Sequence, residues 1–542
     1  MVNRGLTRLW NRLSGEINIG SILALEDEIR EHETVILKLK RTRNSLLNIS
    51  KLPPEVLGDI FHWNVTPKGD FDGLEERSHN FLLVCHHWFE VASSTPELWS
   101  FWGNTPKDWA RRHHRSWAAP LDLILNVAAW DDRSFDSTLL EVLQDRANRD
   151  LIRRIHLKAA DSELLSSIIS SLTAAAGTLR PSNVESFILQ NLGSGSVDIS
   201  NFFARYRFPG LRHLGLFDCT IRSWDLMTSR ITALTTLDLD LWSLEPAPSA
   251  SQVLSILASN PTLRKVSLSV SEDSGDAGGN PPPRVPLCNL KELKLDGNPQ
   301  DVFGILGRLD HPSRLDLLDI TFDPCEVEDI SHPIGPYLRD YLRHRGGPQS
   351  GLRLSLTLPY DESIILHIDA GGIDTSGPAP ARMNPFMVVV IRLDQRRFED
   401  VSKKVALDLI THIPREEIVY LHSNGDPVAM GDVSARLPNL RGLHLEGTPL
   451  SVAFARPNLD GGEGILPSLQ FVLLDRVDVY DGDWSPLTTF LDWRVSSGNR
   501  LHTLVMIGPY RMAPAVRRSL ERSVQEFAHR PYGPTASWST ML

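Results

Sequence analysis

Apolar residues recur along this chain with two periods, and the change from one to the other divides it into zones. Ile22, Leu25, Ile29, His32, Ile36, Leu39, Arg43 and Leu46 follow one another in alternating steps of three and four, with Glu26, Glu28, Glu31 and Lys38 around them. That is a heptad seam, and it predicts an amphipathic helix over residues 16–48. The helix either forms a short coiled-coil dimer, giving weak self-association, or lies against the domain that follows. From residue 49 the period stays helical but the elements shorten. Pro53 and Pro54 suit a first helical turn, where a missing N–H is no loss. Leu52, Val56, Leu57, Ile60 and Phe61 then share one face. After a polar loop, Phe81, Val84, Cys85, Trp88, Val91 and Ala92 form a second stripe, and Thr95-Pro96-Glu97 opens a third short helix carrying Leu98, Trp99 and Trp102.

Three helices in about fifty residues make a marginal core. A side chain such as Leu57, Ile60, Phe61 or Trp88 is worth about 1.5–3 kcal/mol when fully buried, and more apolar surface is present than the three can hide. The excess points to a partner protein. The stretch "LPPEVLGDIF…LLVCHHWFEVASSTPELW" resembles an F-box, the segment by which substrate receptors join Skp–cullin–F-box ubiquitin ligases. The likeness rests on Leu52-Pro53, Glu55, Leu57, Ile60-Phe61, Val84-Cys85, Trp88 and Leu98-Trp99 in order, and the upstream "LEDEI" helix resembles the fungal form. It implies docking on a Skp-type adaptor, and through it a cullin, by way of Leu52, Pro53, Leu57, Ile60, Phe61, Val84, Cys85, Trp88 and Trp99. Two features depart from the family: a longer interhelical loop, and His86-His87 where a basic residue is common.

Beyond residue 150 the period shortens to two and a repeat emerges. L-x-x-L-x-L begins at Leu211, Leu234, Leu290 and Leu440, with weaker copies at Ile152, Val184, Leu263, Leu315, Leu469 and Leu501. Successive starts from Val184 to Leu315 are 27, 23, 29, 27 and 25 residues apart. The fourth and sixth residues of each copy share one face of a short strand, and the residue between them points the other way. A single such strand cannot bury its leucines, so neighbours must stack. The pattern resembles a leucine-rich repeat, with Cys219 and Asn298 at its ninth place. The expected fold class is therefore α/β: an N-terminal helix and three-helix F-box (49–102), a linker and cap (103–150) holding the alternating strand Leu121–Val127, then an irregular leucine-rich-repeat solenoid (151–527). Gly- and Pro-rich loops fall near 272–286 and 369–385, and flexible ends are expected at 1–15 and 528–542. Between about 325 and 415 the repeat is hard to follow. "GLRLSLTL" and "SIILHI" read there as strands, and "FEDVSKKVALDLITHI" as a helix.

Composition narrows the function further. The net charge is −11, with 41% hydrophobic and 23% charged residues. This disfavours a nucleic-acid surface over the whole protein, and the basic runs Lys38–Arg43 and Arg111–Arg115 read as solvated helix faces or, alternatively, as nuclear-import or anion patches. Cys85, Cys219, Cys288 and Cys325 form no C-x-x-C pair, which fits reduced thiols in an intracellular protein, cytoplasmic or nuclear. The longest aliphatic run, Phe386–Ile391, is too short to span a membrane. The common signatures of hydrolases, nucleotide-binding loops and zinc proteases are missing, and the paired histidines His86-His87 and His113-His114 cannot both face one metal from a regular helix. No cofactor or metal is expected, and a hydrolase within 325–415 would need converging polar groups. Function is thus expected in a surface: the residues between the repeat leucines, above all Phe217, Asp238, Asp240, Trp242, Lys294, Asp296, His444 and Glu446, would hold a target protein. The whole then reads as a non-enzymatic substrate receptor, or alternatively as an interaction scaffold acting without cullin or ubiquitination. The target itself is not written in the sequence.

Overall fold

The computed structural model describes residues 19–65, 79–102, 119–126, 151–174, 183–240, 250–270, 284–310, 315–325, 334–342, 352–357, 363–370, 387–393, 410–424, 437–447, 466–477 and 482–530, with single positions between. Trp242, the basic run at 111–115, His113-His114, both Gly/Pro-rich loop centres and the two chain ends lie outside the described residues. The chain divides into two compact units, Met1–Ala160 with Ala175–Asn183, and Asp161–Ala174 with Val184–Leu542. No helix among the described residues is long and apolar enough to cross a membrane.

In the first unit, the heptad segment forms the helix Ile19–Ser45. Its seam residues Leu25, Ile29, Ile36 and Leu39 are all exposed, so burial against the following domain is not seen among the described residues. The short helices Pro54–Val65, His86–Ser94 and Pro96–Trp99 follow. Three parallel strands come next: β1 (Phe101–Trp102), β2 (Leu121–Asn126) and β3 (Ile152–Ala159). β2 pairs on both sides, with β1 and with β3. It is therefore an inner strand, which corrects its expected place as the cap of an open end. Asp122 turns inward and accepts two bonds of 3.2 Å from the Arg153 guanidinium, which neutralises it. The repeat copy at Ile152 belongs to this unit.

The second unit carries β4 (Ser186–Asn191), β5 (Val197–Asp198), β6 (His213–Phe217), β7 (Cys219–Thr220), β8 (Thr236–Asp240), β9 (Lys265–Val270), β10 (Val285–Pro286), β11 (Glu292–Gly297), β12 (Leu309–Asp310) and β13 (Leu317–Cys325). It continues with β14 (Leu352–Thr357), β15 (Ser363–Ala370), β16 (Met387–Leu393), β17 (Ile418–Asn424), β18 (Gly442–Glu446), β19 (Phe471–Asp475), β20 (Leu501–Ile507) and β21 (Val524–Arg530). β5–β7 and β10–β12 make small parallel side pairs. The long strands form one ladder, β4-β6-β8-β9-β11-β13-β16-β15-β14-β17-β18-β19-β20-β21. Every pairing is parallel except those of β15, which runs antiparallel to both neighbours. The stretch where the repeat fades is therefore a three-strand patch laid down in reverse order. It keeps the ladder continuous because β16 and β14 both run with the rest.

Each strand of the regular part enters and leaves in the same way. At entry, two successive N–H groups converge on one carbonyl of the previous strand's lead-in. Arg212 and His213 donate to Glu185 O, Thr235 and Thr236 to Arg212 O, Arg264 and Lys265 to Thr235 O, and Gln470 and Phe471 to Arg441 O. At exit the backbone turns left-handed, at Asp218, Gly297, Gly447, Arg476 and Gly508. Glycine suits this turn; Asp218 and Arg476 adopt it at φ 53° and 48°. The returning segments include the helices Ala250–Ser259 and Pro299–Leu306, the second capped by Asn298, whose side chain accepts from Gln300 N. Cys219, the other ninth-place residue, is buried, and its thiol donates to Phe217 O at 3.2 Å.

Polar side chains close the buried turns. Asn260, fully buried, donates to Ile231 O (3.2 Å) and Ile256 O (2.9 Å) and accepts from Leu234 N (3.1 Å), which ties one return segment to the next. Arg494 does the same with a charge: its guanidinium donates to Leu466 O and Leu469 O at 2.8 and 2.6 Å. Burial lowers its pKa to about 10, so it remains a cation at neutral pH. Asn260→Ala leaves the Leu234 N–H buried and unpaired, and is expected to cost roughly 2 kcal/mol. Thermal unfolding followed by circular dichroism checks this; an unchanged midpoint would contradict the clamp.

Candidate functional site

Two surfaces present chemistry. The first lies on the short helices. The helix Pro54–Val65 carries two adjacent apolar stripes. Leu57 and Phe61, at 0% and 1% exposure, face inward with Phe81, Val91, Ala92, Leu98 and Trp99. Phe61 stacks on Phe81 with ring centroids 4.6 Å apart and meets Trp88 at 5.1 Å. Trp99 Nε1 donates to Ala92 O at 2.7 Å, which pins the third helix to the second. Gly58 lets Thr95 approach closely, since a Cβ there would lie 3.3 Å from Thr95 Oγ1. The other stripe, Val56, Ile60 and Trp63 at i, i+4 and i+7, is exposed, Trp63 at 75%. Leu83 (85% exposed), Val84 and Phe89 are exposed as well.

The structure therefore splits the expected adaptor contacts. Pro53, Ile60 and Val84 are at the surface, Leu52, Cys85 and Trp88 are half-buried, and Leu57, Phe61 and Trp99 are interior. The last three, expected as adaptor contacts, instead stand in the core of the helices, where Phe61 packs on Phe81 and Trp88. Sequence reasoning put Val56 on the same face as Leu57 and did not single out Trp63 or Leu83. The signal was the i, i+4, i+7 spacing beside the Leu57–Phe61 pair. His86, one of the departures from the F-box pattern, is a surface residue with Nδ1 3.1 Å from Glu90 Oε2.

The second surface is the polar face of the long ladder, where strand alternation turns every other residue away from the core. Across β6–β13, one row reads Gly215, Asp238, Ser267, Lys294, Asp319 and the next Phe217, Asp240, Ser269, Asp296, Thr321. Lys294 Nζ lies 3.2 Å from Asp319 Oδ2, and Lys265 Nζ lies 3.4 Å from Glu292 Oε2. The expected target contacts Phe217, Asp238, Asp240, Lys294 and Asp296 thus share one half-buried face. His444 and Glu446 lie on the same face six strands further along, roughly 30 Å at strand spacing.

There the register brings in His422, which sequence reasoning passed over. β17 pairs with β18 so that His422 is opposite His444 and Asn424 opposite Glu446. The two imidazoles stack with centroids 4.2 Å apart and planes 24° from parallel. His422 Nε2 lies 3.3 Å from Glu446 Oε2. Arg476, held at the exit of β19 by its left-handed backbone, forms an ion pair with Glu446 and reaches Asp475 Oδ1 at 3.6 Å. Burial lowers the pKa of His422 to about 4, against the opposing pull of Asp475. It lowers His444 well below the usual range, helped by His422 and Arg476. Both imidazoles are neutral at pH 7 and can act as ligands or hydrogen-bond partners. Aligning "YLHS" with "GLHL" as equivalent strand positions would have found the pair.

No protein-family model matches the chain, and no curated protein matches it.

The two-stripe reading of the first surface separates its residues by experiment. Phe61→Ala is expected to destabilise the helical unit by about 3–5 kcal/mol, whereas Trp63→Ser and Leu83→Ser stay within about 0.5 kcal/mol of the native protein. Limited proteolysis across residues 48–102 reads this out. Equal protection losses in all three would merge the stripes.

Proposed function

We propose that this chain is the substrate-recognition subunit of a Skp–cullin–F-box ubiquitin ligase. The observation that carries the reading is the first helical surface. The segment whose residue order resembles an F-box closes a core of its own around Leu57, Phe61 and Trp99, and still leaves Val56, Ile60, Trp63, Leu83 and Val84 in water. Large apolar side chains exposed beside one another are the usual mark of a protein-docking surface, and a helix presenting i, i+4, i+7 anchors suits a hydrophobic groove on a partner. The adaptor would take the exposed stripe, and the buried one would keep it in place.

The long ladder, read as an irregular leucine-rich-repeat solenoid, supplies the other half. Its polar face carries aromatic, acidic and basic groups within reach of one another, a mixture suited to a folded protein or peptide. The chain would contribute no catalytic group. It would hold a target near a ubiquitin-charged enzyme carried by other subunits, so its contribution is proximity.

The test uses the full chain, purified adaptor and cullin, and an Ile60→Asp/Trp63→Ser variant, with binding measured by calorimetry and co-elution. The expected result is a native complex containing both subunits, and a variant whose adaptor affinity falls by about 100-fold, close to 3 kcal/mol for two central anchors. No binding by the native chain, or equal binding by the variant, ends the proposal. Adaptor binding that never recruits cullin replaces it with the scaffold reading.

A further inference from the structure

We propose that His422, His444 and Glu446 form a binding site for a divalent transition-metal ion on the polar face of the ladder. The sequence shows no metal-ligand spacing because the ligands come from two strands joined by a long connection. His444 and Glu446 stand two residues apart on β18, so both point to the same side, and register places His422 beside His444 on β17. Each of the three offers a ligand atom, and these atoms all lie within 4.8 Å of one another. Donors on one tetrahedral ion lie about 3.3 Å apart at ordinary metal–nitrogen distances, so side-chain movements of about 1.5 Å bring the set together.

A second observation points the same way. His444 Nε2 is closed off from solvent and has no hydrogen-bond partner. A buried polar atom left unpaired costs about 1–3 kcal/mol and calls for an explanation. An ion bound between His444, His422 and Glu446 supplies that partner. Loading turns the two rings out of their stack so that their nitrogens converge, and His422 exchanges its contact with Glu446 for the metal.

The donor set selects the ion class. Two imidazoles and one carboxylate suit Zn²⁺, Co²⁺ or Fe²⁺, whereas Ca²⁺ and Mg²⁺ require oxygen ligands. Three protein ligands leave a coordination position open to water or to a group on a bound target. Arg476 is the natural competitor: its guanidinium already compensates Glu446 and lies near Asp475. Removing it leaves the carboxylates to the metal alone.

The test is titration of the metal-free full chain with Co²⁺, followed by visible absorption, and with Zn²⁺, followed by calorimetry. One equivalent should bind, with d–d bands and no thiolate charge-transfer band, since the set contains no cysteine. His444→Gln and Glu446→Gln should each weaken binding by about 100-fold or more, since even outer-shell changes at metal sites cost up to that much. Arg476→Gln should tighten it. Circular dichroism checks that the variants fold, and Glu446→Gln, which keeps the side-chain shape, serves if His444→Gln does not. Absence of stoichiometric binding, a thiolate spectrum, or equal affinity in native and Glu446→Gln proteins overturns the site. None of these readouts involves the adaptor, so the outcome is independent of the ligase reading.

Discussion

A parallel strand of five or six residues can satisfy neither its backbone nor its leucines alone, and the second unit is organised around that constraint. The solution is lateral. Leu189, Leu216, Leu239, Leu268, Leu295, Ile320, Val389 and Leu366 occupy one register across consecutive strands of the ladder, all buried. Each is worth about 1.5–3 kcal/mol only because its neighbours cover it. The paired N–H groups at strand entry and the left-handed residues at strand exit keep that register from one copy to the next. Even the reversed patch β16-β15-β14 obeys it: Val389 and Leu366 continue the row although β15 runs the other way.

The polar face is the by-product of the same alternation. With one side of every strand committed to the core, the other side is free to vary, and charges there compensate locally, as Lys294 does with Asp319. The His422–His444–Glu446 group arises from this freedom. Its members are brought together by a register maintained by the leucines on the opposite face, so the chemistry of the site depends on packing it never touches.

The helical segment near the N-terminus works under a different limit. Its small core is closed by Phe61, Phe81, Trp88 and Trp99, which gather in one cluster with Leu57. What remains exposed, Val56, Ile60 and Trp63, is then a stripe of separate side chains on the same helix. A single helix thus supplies a core and leaves a surface, and the 0% exposure of Leu57 against the 75% of Trp63 marks the division.

Much of this was legible from local pattern. The heptad spacing marked the helix Ile19–Ser45, the prolines and stripes marked the short helices, and each L-x-x-L-x-L copy marked a strand, because period and turn chemistry are properties of neighbouring residues. What the sequence by itself determined was the kind of each element and which face of it is apolar. Which apolar residues close a core and which stay in water, where β2 sits among its neighbours, and the order β16-β15-β14 were decided by tertiary packing. The meeting of His422 with His444 was decided there too, since it depends on the register between strands with a connection of seventeen residues between them. Local periodicity carries no information about which strand lies alongside which, and that neighbour relation is what makes both the core and the candidate site.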